Sequence, residues 1–104
     1  MLMDENCCER VTVGNTEDGM RYIREFGVKD ISIILVMPDV NYVGTNVCFW
    51  THDDGVMIIG AFAVGYRGTG LSGLVELMRE AGFDDEDCKM IYNLDKNRKY
   101  RFVK

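Results

Sequence analysis

Apolar positions along the chain fall into two rhythms, and the switches between them mark the elements. Over residues 16–26, Met20, Tyr22, Ile23 and Phe26 recur at helical spacing. Asn15 and Thr16 offer a side-chain cap before them, and Glu17 and Asp18 put negative charge into the first turn. The spacing predicts a helix over 16–26 that ends at Gly27. From Asp30 to Met37 the pattern changes. Ile31-Ser32-Ile33-Ile34-Leu35-Val36-Met37 is β-branched and almost wholly apolar, which predicts a central strand stopped by Pro38. A second strand is expected over 46–51 and a third over 56–64. Asp53-Asp54-Gly55 between them reads as a hairpin turn in which the glycine supplies a positive φ.

After a glycine-rich loop, Leu71, Leu74, Leu77, Met78 and Ala81 restore the helical rhythm. Glu76, Arg79 and Glu80 lie on the opposite side, so a second helix is expected over 71–81, closed by Gly82. Residues 84–87 read as a solvated acidic connector. Residues 88–94 read as a fourth strand and 95–97 as a turn. The alternation of 99–103 marks an edge strand. Val11-Thr12-Val13 adds a short strand in front.

The expected order is α-β-β-β-α-β-β. It describes a two-layer α+β sandwich: a mainly antiparallel sheet of four or five strands with two helices on one face. All 104 residues fit one domain, with 1–14 as a weakly patterned N-terminal extension. Strands 31–37 and 56–64 are apolar on both faces. A second copy of the chain is therefore expected to cover the face away from the helices, as a homodimer or larger closed oligomer.

Charge and composition narrow the partners. The net charge of −5 disfavours nonspecific nucleic-acid binding. The local exception is 96–104, where Lys96, Arg98, Lys99, Arg101 and Lys104 are basic, and it reads as a solvated strand face. No stretch is long and apolar enough to span a bilayer, and a cytoplasmic location is expected by default. Cys7, Cys8, Cys48 and Cys88 show no Cys-x-x-Cys spacing, and His52 is the sole histidine. That set is poor in zinc ligands, so the cysteines are expected to be reduced, with Cys48 and Cys88 as small buried apolar groups.

One constellation points to chemistry. Gly65-Tyr66-Arg67-Gly68-Thr69-Gly70-Leu71-Ser72-Gly73 follows a strand and opens a helix. Glycines let a ligand approach the backbone, and a helix N-terminus presents free N–H groups to an anion. The ligand-contact candidates are Tyr66, Arg67, Gly68, Thr69, Gly70 and Ser72. Arg67 suits a phosphate or carboxylate, and Thr69 and Ser72 add hydroxyls.

Gly68 to Gly73 spells G-x-G-x-x-G, and this superficially resembles the Rossmann dinucleotide fingerprint, with Asp95 at the end of the next expected strand. Tyr66 and Arg67 intervene between the strand and the motif, and the chain after Asp95 is too short for the remaining parallel strands. A G-x-x-x-x-G-K-[ST] phosphate loop is absent, since no lysine lies in the segment. No family follows from six residues. The competing structural account is that the glycines make a tight turn and let the helix pack closely.

Two functions from different classes follow. The first is a small non-enzymatic binding or regulatory module that holds an anionic small molecule (a nucleotide or phosphate) or a protein partner at Gly65–Gly73. The second is a small enzyme at the same loop, with Arg67, Thr69 and Ser72 as clamps and His52 or a nearby aspartate as base. Its discriminating feature is His52 or a perturbed carboxylate within hydrogen-bond range of the loop. The sequence assigns no cofactor. Tyr42, Trp50 and Tyr66 read either as a stacking surface or as core.

Overall fold

A computed structural model describes residues 9–38, 45–65 and 68–104. Tyr66 and Arg67 of the glycine loop, Tyr42, Cys7 and Cys8 lie outside them. In chain order the elements are β1 (Glu9–Thr12), α1 (Thr16–Phe26), β2 (Ile33–Pro38), β3 (Thr45–Trp50), β4 (Gly55–Phe62), α2 (Thr69–Ala81), α3 (Asp85–Met90) and β5 (Tyr100–Val103). Short 3₁₀ turns follow α1 and α3. The five strands form one sheet in the order β1-β4-β3-β2-β5. β2, β3 and β4 make an antiparallel meander, β5 joins β2 antiparallel, and β1 joins β4 parallel. The fold is the expected α+β sandwich, with a mixed sheet.

The helices cover one face. Val47, Phe49, Ile34, Val36, Ile58 and Phe102 point from the strands into a core completed by Ile23, Leu74, Leu77, Met78 and Ile91. Phe49 and Phe62 meet edge to face, with centroids 5.8 Å apart. On the other face, Ile33, Met37, Cys48, Trp50 and Met57 form a second cluster, with Leu35 and Ile59 against it. That cluster is already buried within the single chain. The outer face therefore no longer supplies a reason for a second copy.

Three local expectations are corrected. Residues 88–94 are not a strand: Asp84 caps α3 by accepting from the Asp87 N–H at 2.9 Å, and Cys88, Ile91 and Leu94 face the core. A spacing of three is helical, and the acids at 85–87 are its favourable first turn rather than a loop. Gly55 does not have a positive φ. It opens β4, and a Cβ there would stand 2.6 Å from the ring of Trp50, its cross-strand partner. Cys48 is disulfide-bonded rather than reduced, to a partner outside the described residues, whereas Cys88 is free and buried. No described helix is long and apolar enough to cross a membrane.

Candidate functional site

The ladder between β3 and β4 slips: Val47 lies opposite Ile58, but Thr45 lies opposite Phe62. The extra residues of β4 bulge at Gly60, whose φ is +90°. A Cβ at Gly60 would stand 2.5 Å from the Val13 carbonyl oxygen, so only glycine lets β1 pass here. The Val13 N–H donates to the Ile59 carbonyl at 2.9 Å, tying the end of β1 to the bulge. Both long helices start on the same stretch of β4. The Thr16 hydroxyl, at the head of α1, donates to the Ala61 carbonyl. Gly70, in the first turn of α2, packs so closely that a Cβ would stand 2.9 Å from the Ala63 nitrogen.

These constraints leave a half-open cavity of about 660 Å³. Thr12, Val13 and Thr16 form one wall and Thr45 and Asn46 another. The bulge from Ile59 to Ala63 makes the floor, and Gly68, Thr69 and Gly70 form the rim. Thr45 is buried, and its hydroxyl accepts from the Val64 N–H at 3.2 Å. No charged side chain among the described residues lines the cavity. Its polar groups are threonine hydroxyls, the Asn46 amide and backbone.

The two helix starts differ. Asn15 caps α1, its Oδ1 accepting from the Asp18 N–H at 2.8 Å, and Glu17 and Asp18 lie in the first turn. At α2 the capping position is Gly68, which has no side chain to accept a bond, and the first turn holds no acid. Both capping residues have extended backbone, so the difference is chemical rather than conformational. Among the described residues, the first turn of α2 thus presents N–H groups and partial positive charge without a side-chain cap.

Of the residues expected at the site, the structure brings Gly68, Thr69 and Gly70 to the cavity rim and leaves Ser72 out of it. Ser72 instead lines a neighbouring groove of about 390 Å³ between α1 and α2, with Glu17, Arg24 and Glu76. Tyr66 and Arg67 lie outside the described residues. Packing explains most of the glycines. Gly65 has a φ of +93° against Lys96, Gly70 faces Ala63, and Gly73 faces α1. Of the four glycines in the loop, Gly68 alone meets nothing within 4 Å. Trp50 belongs to the outer face, and Asp95 uses its carboxylate to accept from the Asn97 N–H at 2.9 Å.

His52 sits in the β3–β4 turn, whereas the cavity lies at the Thr45 end of β3. The length of β3, about 20 Å, separates them. The carboxylates with shifted acidity are also elsewhere. Bonding to Arg24 lowers Glu80, bonding to Lys89 lowers Asp85, and burial raises Asp87. None of them lines the cavity. Among the described residues, no group of three or more His, Cys, Asp or Glu could hold a metal ion.

The sequence reading missed Thr12, Thr16, Thr45, Asn46 and Gly60. A glycine inside the apolar run 56–64 is the sequence mark of a bulge, but nothing local says which strand the bulge will face. Arg24 donates to Glu80 at 2.6 and 2.9 Å and to Glu76 at 3.4 Å, linking α1 to α2 beside the groove. Set against known proteins, the chain matches no family model, no curated protein and no solved structure.

Proposed function

We propose that the protein is a small non-enzymatic binding module that holds an anionic small molecule, of phosphate or nucleotide type, in the cavity at the start of α2. The observation that carries this reading is the uncapped N-terminus of α2 at the rim of a cavity whose polar groups, set among apolar side chains, are threonine hydroxyls, the Asn46 amide and backbone. An anion there would accept from the N–H groups of the first turn and meet the positive end of the helix. The threonine hydroxyls would orient it. The cavity volume is in the usual range for small-molecule sites.

The enzymatic alternative asked for His52 or a perturbed carboxylate at the loop. No titratable side chain of the described residues stands there to carry acid–base chemistry. The proposed module works as a single copy, because one chain walls the cavity.

The test uses Gly68→Asp. Gly68 has extended backbone and open space around a Cβ, so the fold tolerates the change. The new carboxylate would cap α2 and repel an anion. A thermal-shift series with inorganic phosphate and nucleoside mono-, di- and triphosphates should raise the melting temperature of the wild type and leave Gly68→Asp unmoved. If no anion shifts the wild type, or if both respond alike, the reading fails.

A further inference from the structure

Among the described residues, the last strand has one open side. β5 pairs with β2 and ends the sheet. The Lys104 N–H donates to the Ser32 carbonyl at 2.8 Å, which fixes the phase of the ladder. Lys104 and Phe102 then turn their backbone groups toward β2, and Arg101 and Val103 turn theirs away from it. The side chains divide in the same way. Phe102 is buried in the core, while Arg101 is exposed and Val103 is 55% exposed on the outer face.

Charge is concentrated on and around the same strand. Lys96, Arg98, Lys99, Arg101 and Lys104 crowd nine residues of a chain whose net charge is −5. In the helical layer, Arg21, Arg24, Arg79 and Lys89 form ion pairs with acidic neighbours. Basic side chains on an edge repel a like strand. Two copies of β5 laid edge to edge would bring their basic side chains together, which is unfavourable. The same charge favours an acidic strand.

We propose that the β5 edge takes up an extended acidic segment of a partner protein by strand addition. The outward N–H and C=O groups of Arg101 and Val103 pair with the incoming backbone. Arg101 selects an acidic side chain on the outer face, and Val103 selects an apolar one two residues away, since alternate residues share a face. This site is separate from the cavity and does not depend on the reading of it.

Fluorescence anisotropy of a labelled eight-residue peptide of repeating Glu-Glu-Val-Val, which carries glutamate and valine two residues apart on each face, titrated with the full chain at low salt, tests the proposal. The wild type should bind, and Arg101→Glu should weaken binding about tenfold. Val103→Pro is the sharper probe. It removes an N–H that faces away from β2, leaves the β2–β5 ladder intact and keeps every charge. It should weaken binding about fivefold or more. No binding by the wild type overturns the proposal, as does wild-type affinity in a folded Val103→Pro. A single-stranded RNA oligonucleotide that binds more tightly than the peptide also overturns it, and makes the strip a general polyanion surface. Should Val103→Pro fail to fold, amide shifts of the wild type decide: peptide-induced changes must centre on Arg101 and Val103, and changes confined elsewhere sink the idea.

Discussion

Gly73 of α2 lies against Thr16 of α1 so closely that a Cβ at position 73 would come within 2.5 Å of the threonine methyl. Thr16 in turn donates its hydroxyl to the Ala61 carbonyl and lines the cavity. The third glycine of the G-x-G-x-x-G string therefore sets the crossing of two helices, and through Thr16 the position of a cavity wall. Gly73→Ala should destabilise the protein by about 1–3 kcal/mol through overpacking. Chemical denaturation measures it, and an unchanged midpoint would show that the helices separate freely.

The two helix starts give a paired prediction of opposite sign. Asn15→Ala removes a cap and should cost about 1 kcal/mol, whereas Gly68→Asp adds one and should stabilise by a few tenths of a kcal/mol. A gain in thermal stability on Gly68→Asp, with anion binding lost, would separate the needs of the fold from those of the site.

Bonding to Arg24 holds the Glu80 carboxyl below the usual glutamate range. The folded state therefore releases that proton more readily than the unfolded chain. The resulting stability is present above the ordinary glutamate range and is lost as pH falls through the folded value. Glu80→Gln should melt below the wild type at neutral pH, and the two should converge on acidification. Both groups are partly exposed, so the gap should be small and should shrink with salt. Parallel melting curves from neutral to acid pH test the sign. A gap that widens in acid would contradict it.

Burial pushes the Cys88 thiol above its ordinary acidity range. Its thiolate is scarce and enclosed, so alkylation of the native protein near pH 8 should leave Cys88 unmodified, and unfolding should make it reactive. Peptide mapping by mass spectrometry reads the outcome. Rapid native labelling at Cys88 would mean that α3 opens readily.

Because the apolar cluster on the outer face is buried within one chain, sedimentation at micromolar concentration should show a monomer. A stable dimer would reveal an interface other than the one the apolar strands pointed to from sequence.

The fold was legible where a signal is local. Asn15, the acids after it and Gly27 bracket α1 at the residues expected. α2 starts two residues ahead of expectation, at Thr69, because a glycine cap leaves no side-chain signature. Residues 88–94 misled because Cys88, Ile91 and Leu94 satisfy a helical spacing inside a run short enough to pass for a strand. The Gly55 turn misled because hairpin glycines usually relieve φ, whereas this one makes room for an indole. The rim of the cavity was read from the glycine loop. Its walls were not, since Thr12, Thr16 and Thr45 meet only after β1 crosses to β4 and β4 bulges.

The strand order has a kinetic consequence. β2, β3 and β4 are joined by sequence neighbours, so the meander closes short loops and can form early. β1 must find β4 from across the chain, with Glu9 beside Val56, and α2 must dock on a sheet already made. The cavity lies between these latecomers. Its β1 wall and α2 rim are expected to assemble late and to detach first when the native state opens, whereas its β3 wall and β4 floor belong to the meander. Hydrogen exchange should therefore be faster at Thr12 and Val13 than at Val47 and Phe49. A ligand that bridges β1 and α2 would slow it there and leave the meander untouched.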